Sequence, residues 1–178
     1  MKVLKITLVF LSVLLSSCHS KPSLQKYFVD HQEQPGFAVL DISPTLLNID
    51  NTKISPEQSK ALASFHKMNI LTYRFDKQHP NQIDVERKNV AEILKDTIAY
   101  QQLMKIGSGK NGASISYVGE ADKVDEFVLY GVKSDLGLVV VRILGDKMNP
   151  ADALTLLSVL KYSKIDMKQL EPLKGFVK

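Results

Sequence analysis

The sequence has one cysteine and no tryptophan. A lone thiol forms no internal disulfide and no cysteine cluster for zinc. Charge of one sign is also missing: 23 basic residues face 19 acidic ones, and the two kinds interleave from Lys26 to Lys178. A nucleic-acid binder concentrates its lysines and arginines in a stripe, so no nucleic acid is expected as a partner. His19, His31, His66 and His79 are the only imidazoles, and no two stand at ligand spacing on one element. No metal is expected, nor any other cofactor. Without a G-x-S-x-G elbow, a hydrolase triad has no foothold. Nowhere does an apolar run reach the roughly 20 residues of a membrane span.

The cysteine stands where a signal peptide would be cut. Lys2 and Lys5 give a positive n-region, Ile6 to Leu15 an apolar h-region of secretory length, and Leu15-Ser16-Ser17-Cys18 closes it. This stretch resembles the lipobox of bacterial lipoproteins. The resemblance implies acylation of the Cys18 thiol and cleavage before it. Residues 1–17 then form the signal peptide, residues 18–23 the lipidated cysteine and a short tether, and residues 24–178 one domain. Cleavage removes two lysines and no acid from a net charge of +4, leaving +2. His19 replaces the aspartate that retains some lipoproteins in the inner membrane, and the tether has no acidic run. The expected location is the periplasmic face of the outer membrane.

Local signals then set the elements. Ser23 caps a helix with Leu24, Tyr27, Phe28 and His31 on one face, ended by Pro35-Gly36. Phe37 to Ile42 reads as a strand, and Ser43-Pro44 as a turn. Ser55, Pro56 and Gln58 write a capping box for a second helix whose buried stripe continues through Ala61, Leu62, Phe65 and Met68. Asn69 to Phe75 alternates as a strand. A helix from Ile83 or Asp84 turns Val90, Ile93 and Leu94 inward, and Asp96 caps a further short helix carrying Ile98, Leu103 and Met104. Period-two segments follow: Ala113 to Val118, Val124 to Val132 and Leu138 to Leu144, an antiparallel meander whose last strand is apolar on both faces and therefore central. Asn149, Pro150 and Asp152 open a last helix with Leu154, Leu157 and Leu160 inward. The expected fold class is α+β: a mainly antiparallel sheet with a C-terminal strand meander and helices packed mainly on one face.

Four phrases, Ser23 to Phe28, Tyr100 to Ile106, Val124 to Leu129 and Val141 to Asp146, resemble the domain of unknown function 4252 family of bacterial envelope lipoproteins. The resemblance implies this fold and address, and it points toward envelope signalling. It supplies no activity, cofactor or site residue.

Gly107-Ser108-Gly109-Lys110-Asn111-Gly112 is a literal G-x-G-x-x-G, but the residues after it alternate as a strand instead of entering a helix. It reads as a hairpin loop in which Asn111-Gly112 supplies positive φ. Glu126 and Arg142 are the candidate polar pair. If the turn runs through Lys133, Ser134 and Asp135, they face each other across two strands, as a modest, exposed ion pair or a ligand contact. Gly145 to Pro150 reads as strand exit and cap, and Asp122, Asp125 and Glu126 lack calcium-loop spacing. The expected function is that of a membrane-anchored, non-enzymatic module that binds an envelope protein or serves signalling. The alternative is a small-ligand-binding protein or an enzyme whose site joins residues distant in sequence.

Overall fold

A computed structural model describes residues 21–159. Helix α1 (Leu24–His31) starts where the Ser23 hydroxyl accepts the Lys26 N–H, and strand β1 (Phe37–Ile42) follows. The expected turn at Ser43-Pro44 is the start of a short helix, α2 (Pro44–Leu47), with proline at its first position. A 3-10 turn (Asn51–Lys53) leads to α3 (Pro56–Ser64), where Ser55 and Gln58 form the reciprocal capping box. Then come β2 (Phe65–Arg74), α4 (Gln82–Leu94), β3 (Gln101–Ser108), β4 (Asn111–Glu120), β5 (Lys123–Lys133), β6 (Gly137–Met148) and α5 (Pro150–Val159).

The six strands form one sheet in the order β1-β2-β6-β5-β4-β3, every neighbouring pair antiparallel. Strands β4, β5 and β6 make the expected C-terminal meander, and β3 extends it by one strand. β6 lies between β2 and β5, which gives Leu138 to Leu144 the central place their two apolar faces require.

Two boundaries differ from the sequence reading. Helix α3 stops at Ser64, and Phe65 and Met68 belong to β2. A bulge between Phe65 and Lys67 inserts one residue into the ladder, so two side chains three apart share a face and imitate helical spacing. After α4 there is no short helix: Asp96 accepts the N–H groups of Ile98 and Ala99 in a turn, and Leu103 and Met104 lie on β3. β3 carries a bulge between Gln102 and Met104 and is exposed throughout, so it shows no alternation of burial.

The layering is more even than one-sided packing. α1 and α4 cover one face, where Leu24, Tyr27, Phe28, Ile83, Val90 and Ile93 meet Leu71, Tyr73, Val128 and Val140. The opposite, second face receives Leu47 of α2, Ala61 of α3 and Leu156 of α5 against Met68, Phe127 and Ile143. Burying a side chain of this size stabilises by about 1.5–3 kcal/mol, so each face has its own core. α3 ends so close to the sheet that a Cβ on Gly145 would stand 2.2 Å from the Ser64 carbonyl oxygen. Helix α5 turns Leu156 and Val159 inward while Leu154 is exposed, a rotation of its buried stripe relative to the expectation. The Leu157 side chain and Leu160 lie outside the described residues.

Candidate functional site

Glu126 on β5 and Arg142 on β6 share the face covered by α1. The turn centres on Asp135 instead of Ser134, so Val128 stands opposite Arg142 and Glu126 opposite Leu144. The candidate pair therefore meets diagonally. It is also buried, not exposed: Arg142 is 6% and Glu126 8% accessible. Arg142 Nε and Nη2 donate to the two carboxylate oxygens at 2.7 and 2.9 Å, and Nη1 donates to Gln25 Oε1 at 3.1 Å. The guanidinium carbon stands 5.7 Å from the centroid of the Phe28 ring. Burial pulls the Arg142 pKa down, but the Glu126 hydrogen bonds and charge outweigh it and hold it above the ordinary arginine value. Every charged atom here is occupied by protein, so the pair fastens α1 to the sheet and leaves no free group for chemistry.

A second buried carboxylate went unnoticed in the sequence. Glu86 of α4, 3% exposed, accepts from Tyr27 Oη at 2.8 Å, Gln82 Nε2 at 2.6 Å and Asn89 Nδ2 at 3.2 Å. His31 Nε2 stands 3.5 Å from it. His31 Nδ1 lies 2.7 Å from the Tyr27 carbonyl oxygen. A carbonyl only accepts, so that nitrogen carries the proton and Nε2 faces the acid. The signal was present: Ile83, Glu86, Val90 and Ile93 make one helical stripe, with an acid in an apolar position. Burial, and then the hydrogen bond to Glu86, raise the Tyr27 pKa far above the ordinary tyrosine value. The cluster closes on itself beneath α1 and, like the first pair, is a polar fastening.

The Gly107 to Gly112 loop is the turn of the β3–β4 hairpin, as expected, though the positive φ falls elsewhere. Asn111 and Gly112 are paired strand residues, opposite Ser108 and Gly107, while Gly107 (φ 70°) and Gly109 (φ 60°) take the left-handed conformation. Gly109 occupies the first of two turn positions, where hairpins favour glycine. A Cβ on Gly107 would lie 2.5 Å from the Asn111 carbonyl oxygen. Both glycines are thus demanded by the hairpin itself.

Between this hairpin and the C-terminal half of α4 lies a half-open cavity of about 510 Å³. Gly107, Gly112 and Ser114 leave the sheet low beneath it, and Leu94 and Val132 make part of its wall. Arg87, Lys95 and Lys105 line it, whereas no aspartate, glutamate, histidine or cysteine does. General acid–base chemistry of the usual kind has no carboxyl or imidazole there.

The remaining candidates stay apart. His66 is exposed on β2, and His79 pairs with Asp76 at 2.7 Å on the surface. Asp152 does cap α5, accepting the Asn149 N–H at 2.7 Å. Among the described residues no three His, Cys, Asp or Glu side chains converge to hold a metal, and no helix is long and apolar enough to cross a membrane. Cys18 and His19 lie outside the described residues.

The far wing of the sheet is different in kind. Among the described residues β3 is an edge strand whose outer backbone groups have no partner strand, and Leu103, Met104 and Ile106 are 44%, 45% and 61% exposed. In comparison with known proteins, residues 27–156 match the family described as domain of unknown function (DUF4252), a span of more than half the chain. No curated protein and no solved structure matches it.

Proposed function

The chain belongs to the DUF4252 family, and from that premise we propose that it is a lipid-anchored envelope protein, without enzymatic activity, that binds a protein partner along the β3 edge. The observation that carries this reading is the edge itself: eight exposed residues, without a partner strand on one side among the described residues, with Met104 and Ile106 on the second face of the sheet. A soluble domain normally blunts such an edge. The occupant that fits is an extended segment of an envelope protein, adding as a strand and laying alternate apolar side chains on Met104 and Ile106.

The anchor is Cys18, after a signal peptide of residues 1–17, with the periplasmic face of the outer membrane as its place. The support is the sequence pattern together with the position of α1. Leu24 is completely buried and its N–H is held by Tyr100 Oη at 3.4 Å. Only His19 to Ser23 separate it from the anchor, which keeps the body beside the lipid surface. Acyl chains contribute about 0.8 kcal/mol per buried methylene, and more than one chain makes the attachment lasting.

A photocrosslinking residue placed at Ile106 in intact cells, with one at exposed Val85 as control, tests the reading. One stoichiometric envelope protein captured at position 106, absent at position 85 and lost with the acyl label in Cys18→Ser, is the expected result. Equal capture at both positions, or none, overturns the edge as the binding surface.

A further inference from the structure

The cavity between α4 and the β3–β4 hairpin has features that neither the fold nor the edge requires. Three of its lining side chains are cations, Arg87, Lys95 and Lys105, and none is an acid. Acids do stand nearby, outside the lining: Asp84 Oδ1 lies 3.2 Å from Arg87 Nη2, and Glu92 Oε2 lies 3.4 Å from Lys95 Nζ. Lys105 makes no salt bridge among the described residues. A concave surface lined by one sign of charge concentrates ions of the other sign.

The second observation is independent of charge. Tyr130 lines the same cavity, and its hydroxyl is buried and finds no hydrogen-bond partner among the described residues. Buried hydroxyls without a partner are rare because each costs about 1–3 kcal/mol. Arg87 is close enough for its charge to act on this hydroxyl. Beside these polar groups stand Leu94 and Val132, an apolar wall for the stem of a ligand. The volume, about 510 Å³, is that of a small-molecule site.

We propose that this cavity binds a small organic anion, a carboxylate or phosphate monoester on an apolar stem, with Arg87, Lys105 and the Tyr130 hydroxyl donating to the anionic group and Leu94 and Val132 holding the stem. Strand β3 serves both surfaces, since Gln102, Lys105 and Ile106 also line the cavity, but titration with small anions reads the cavity with no protein partner present, so its failure and that of the partner edge are distinguishable.

The full chain, purified in a non-ionic detergent, is titrated by calorimetry with phenyl phosphate, benzoate, inorganic phosphate and benzyl alcohol. Phenyl phosphate and benzoate saturate a single site, inorganic phosphate binds more weakly for want of a stem, and benzyl alcohol does not bind. Tyr130→Phe, which removes one oxygen, and Lys105→Gln each weaken phenyl phosphate about tenfold, the effect of one hydrogen bond to a charged group. Lys88→Gln, on the outer side of α4, changes nothing. Phosphatidate in phosphatidylcholine vesicles displaces phenyl phosphate if the natural anion is a lipid headgroup, and leaves it bound if that anion is dissolved. Overturning results are the absence of saturable binding by any of the four probes, benzyl alcohol binding as tightly as phenyl phosphate, or Lys88→Gln weakening binding as much as Lys105→Gln.

Discussion

The two faces of this sheet are built by different rules. The face under α1 and α4 is threaded with polar groups: two carboxylates, a guanidinium and the tyrosines Tyr27, Tyr73, Tyr100 and Tyr130. Its helices are short and amphipathic, and hydrogen bonds at single places hold them: Arg142 to Gln25, Tyr100 to Leu24, Tyr27 to Glu86. The opposite face has fewer polar groups, chiefly Thr72 and Tyr117, whose hydroxyl donates to Gln101. Its side chains run from fully buried Ile143 and Met148 beneath α3 and α5, through half-buried Leu129 and Val141, to exposed Ile106. Directional contacts specify one arrangement of the helices, whereas an oily surface accepts whatever covers it. The first face is therefore suited to fixing the fold, and the bare end of the second to meeting something else.

The sharpest way to break that contrast is to cut the buried ion pair. Glu126→Ala leaves the Arg142 guanidinium buried without its charge partner and is expected to destabilise by about 3–5 kcal/mol in denaturant unfolding. The double variant Glu126→Leu, Arg142→Met removes both charges and is expected to recover most of that loss, because the desolvation cost goes with the charge. Arg142→Leu without any loss of thermal stability would show that the pair does not fasten α1.

How far the sequence reveals these faces depends on how local each signal is. The capping box at Ser55 and Gln58 is legible because the groups that satisfy one another lie within four residues. Phe65 and Met68 mislead because a bulge, which depends on the β6 partner, shifts the ladder by one residue. β3 is hidden for a related reason: an edge strand with no buried side has no alternation to display. Glu126 and Arg142 are legible as a same-face pair, but a turn of the same length placed one residue further along the chain moves them from opposite to diagonal. Burial by a helix more than a hundred residues away could not be read at all. The glycines of the Gly107 to Gly112 loop announced a hairpin, while the cavity beside it exists only once α4 is laid across the sheet.

A smaller effect sharpens the comparison through pH. Burial pushes the Tyr130 pKa from 10.0 up to about 12, against the charge of Arg87, which lowers it. Burial also raises Tyr27, Tyr73 and Tyr100. A raised value in the folded state means that the unfolded chain loses its proton first. Stability from Tyr130 is therefore complete below pH 10 and is lost as pH climbs through about 12. Tyr130→Phe, which has no proton to lose and no unpartnered hydroxyl to bury, is expected to give a shallower decline of unfolding free energy over that interval and a stability at pH 7 raised by up to about 1–3 kcal/mol. An identical alkaline decline in the variant would mean that the hydroxyl is solvated in the folded protein.

The smallest expected effect on folding belongs to the bare end of the second face. Ile106 is 61% exposed on an edge strand, so Ile106→Lys removes little buried area and is expected to change stability by less than about 0.5 kcal/mol in the same denaturant unfolding. Its consequence appears elsewhere. A lysine there places a charge where an added strand would lay an apolar side chain, and that charge must be desolvated if a partner docks. Capture of the partner through a photocrosslinker at the neighbouring Met104 should then fall at least severalfold while the melting temperature holds. If the same substitution unfolds the protein, the exposed end is part of the core and the contrast between the faces is wrong. If it changes neither stability nor capture, the fold stands and the partner meets another surface.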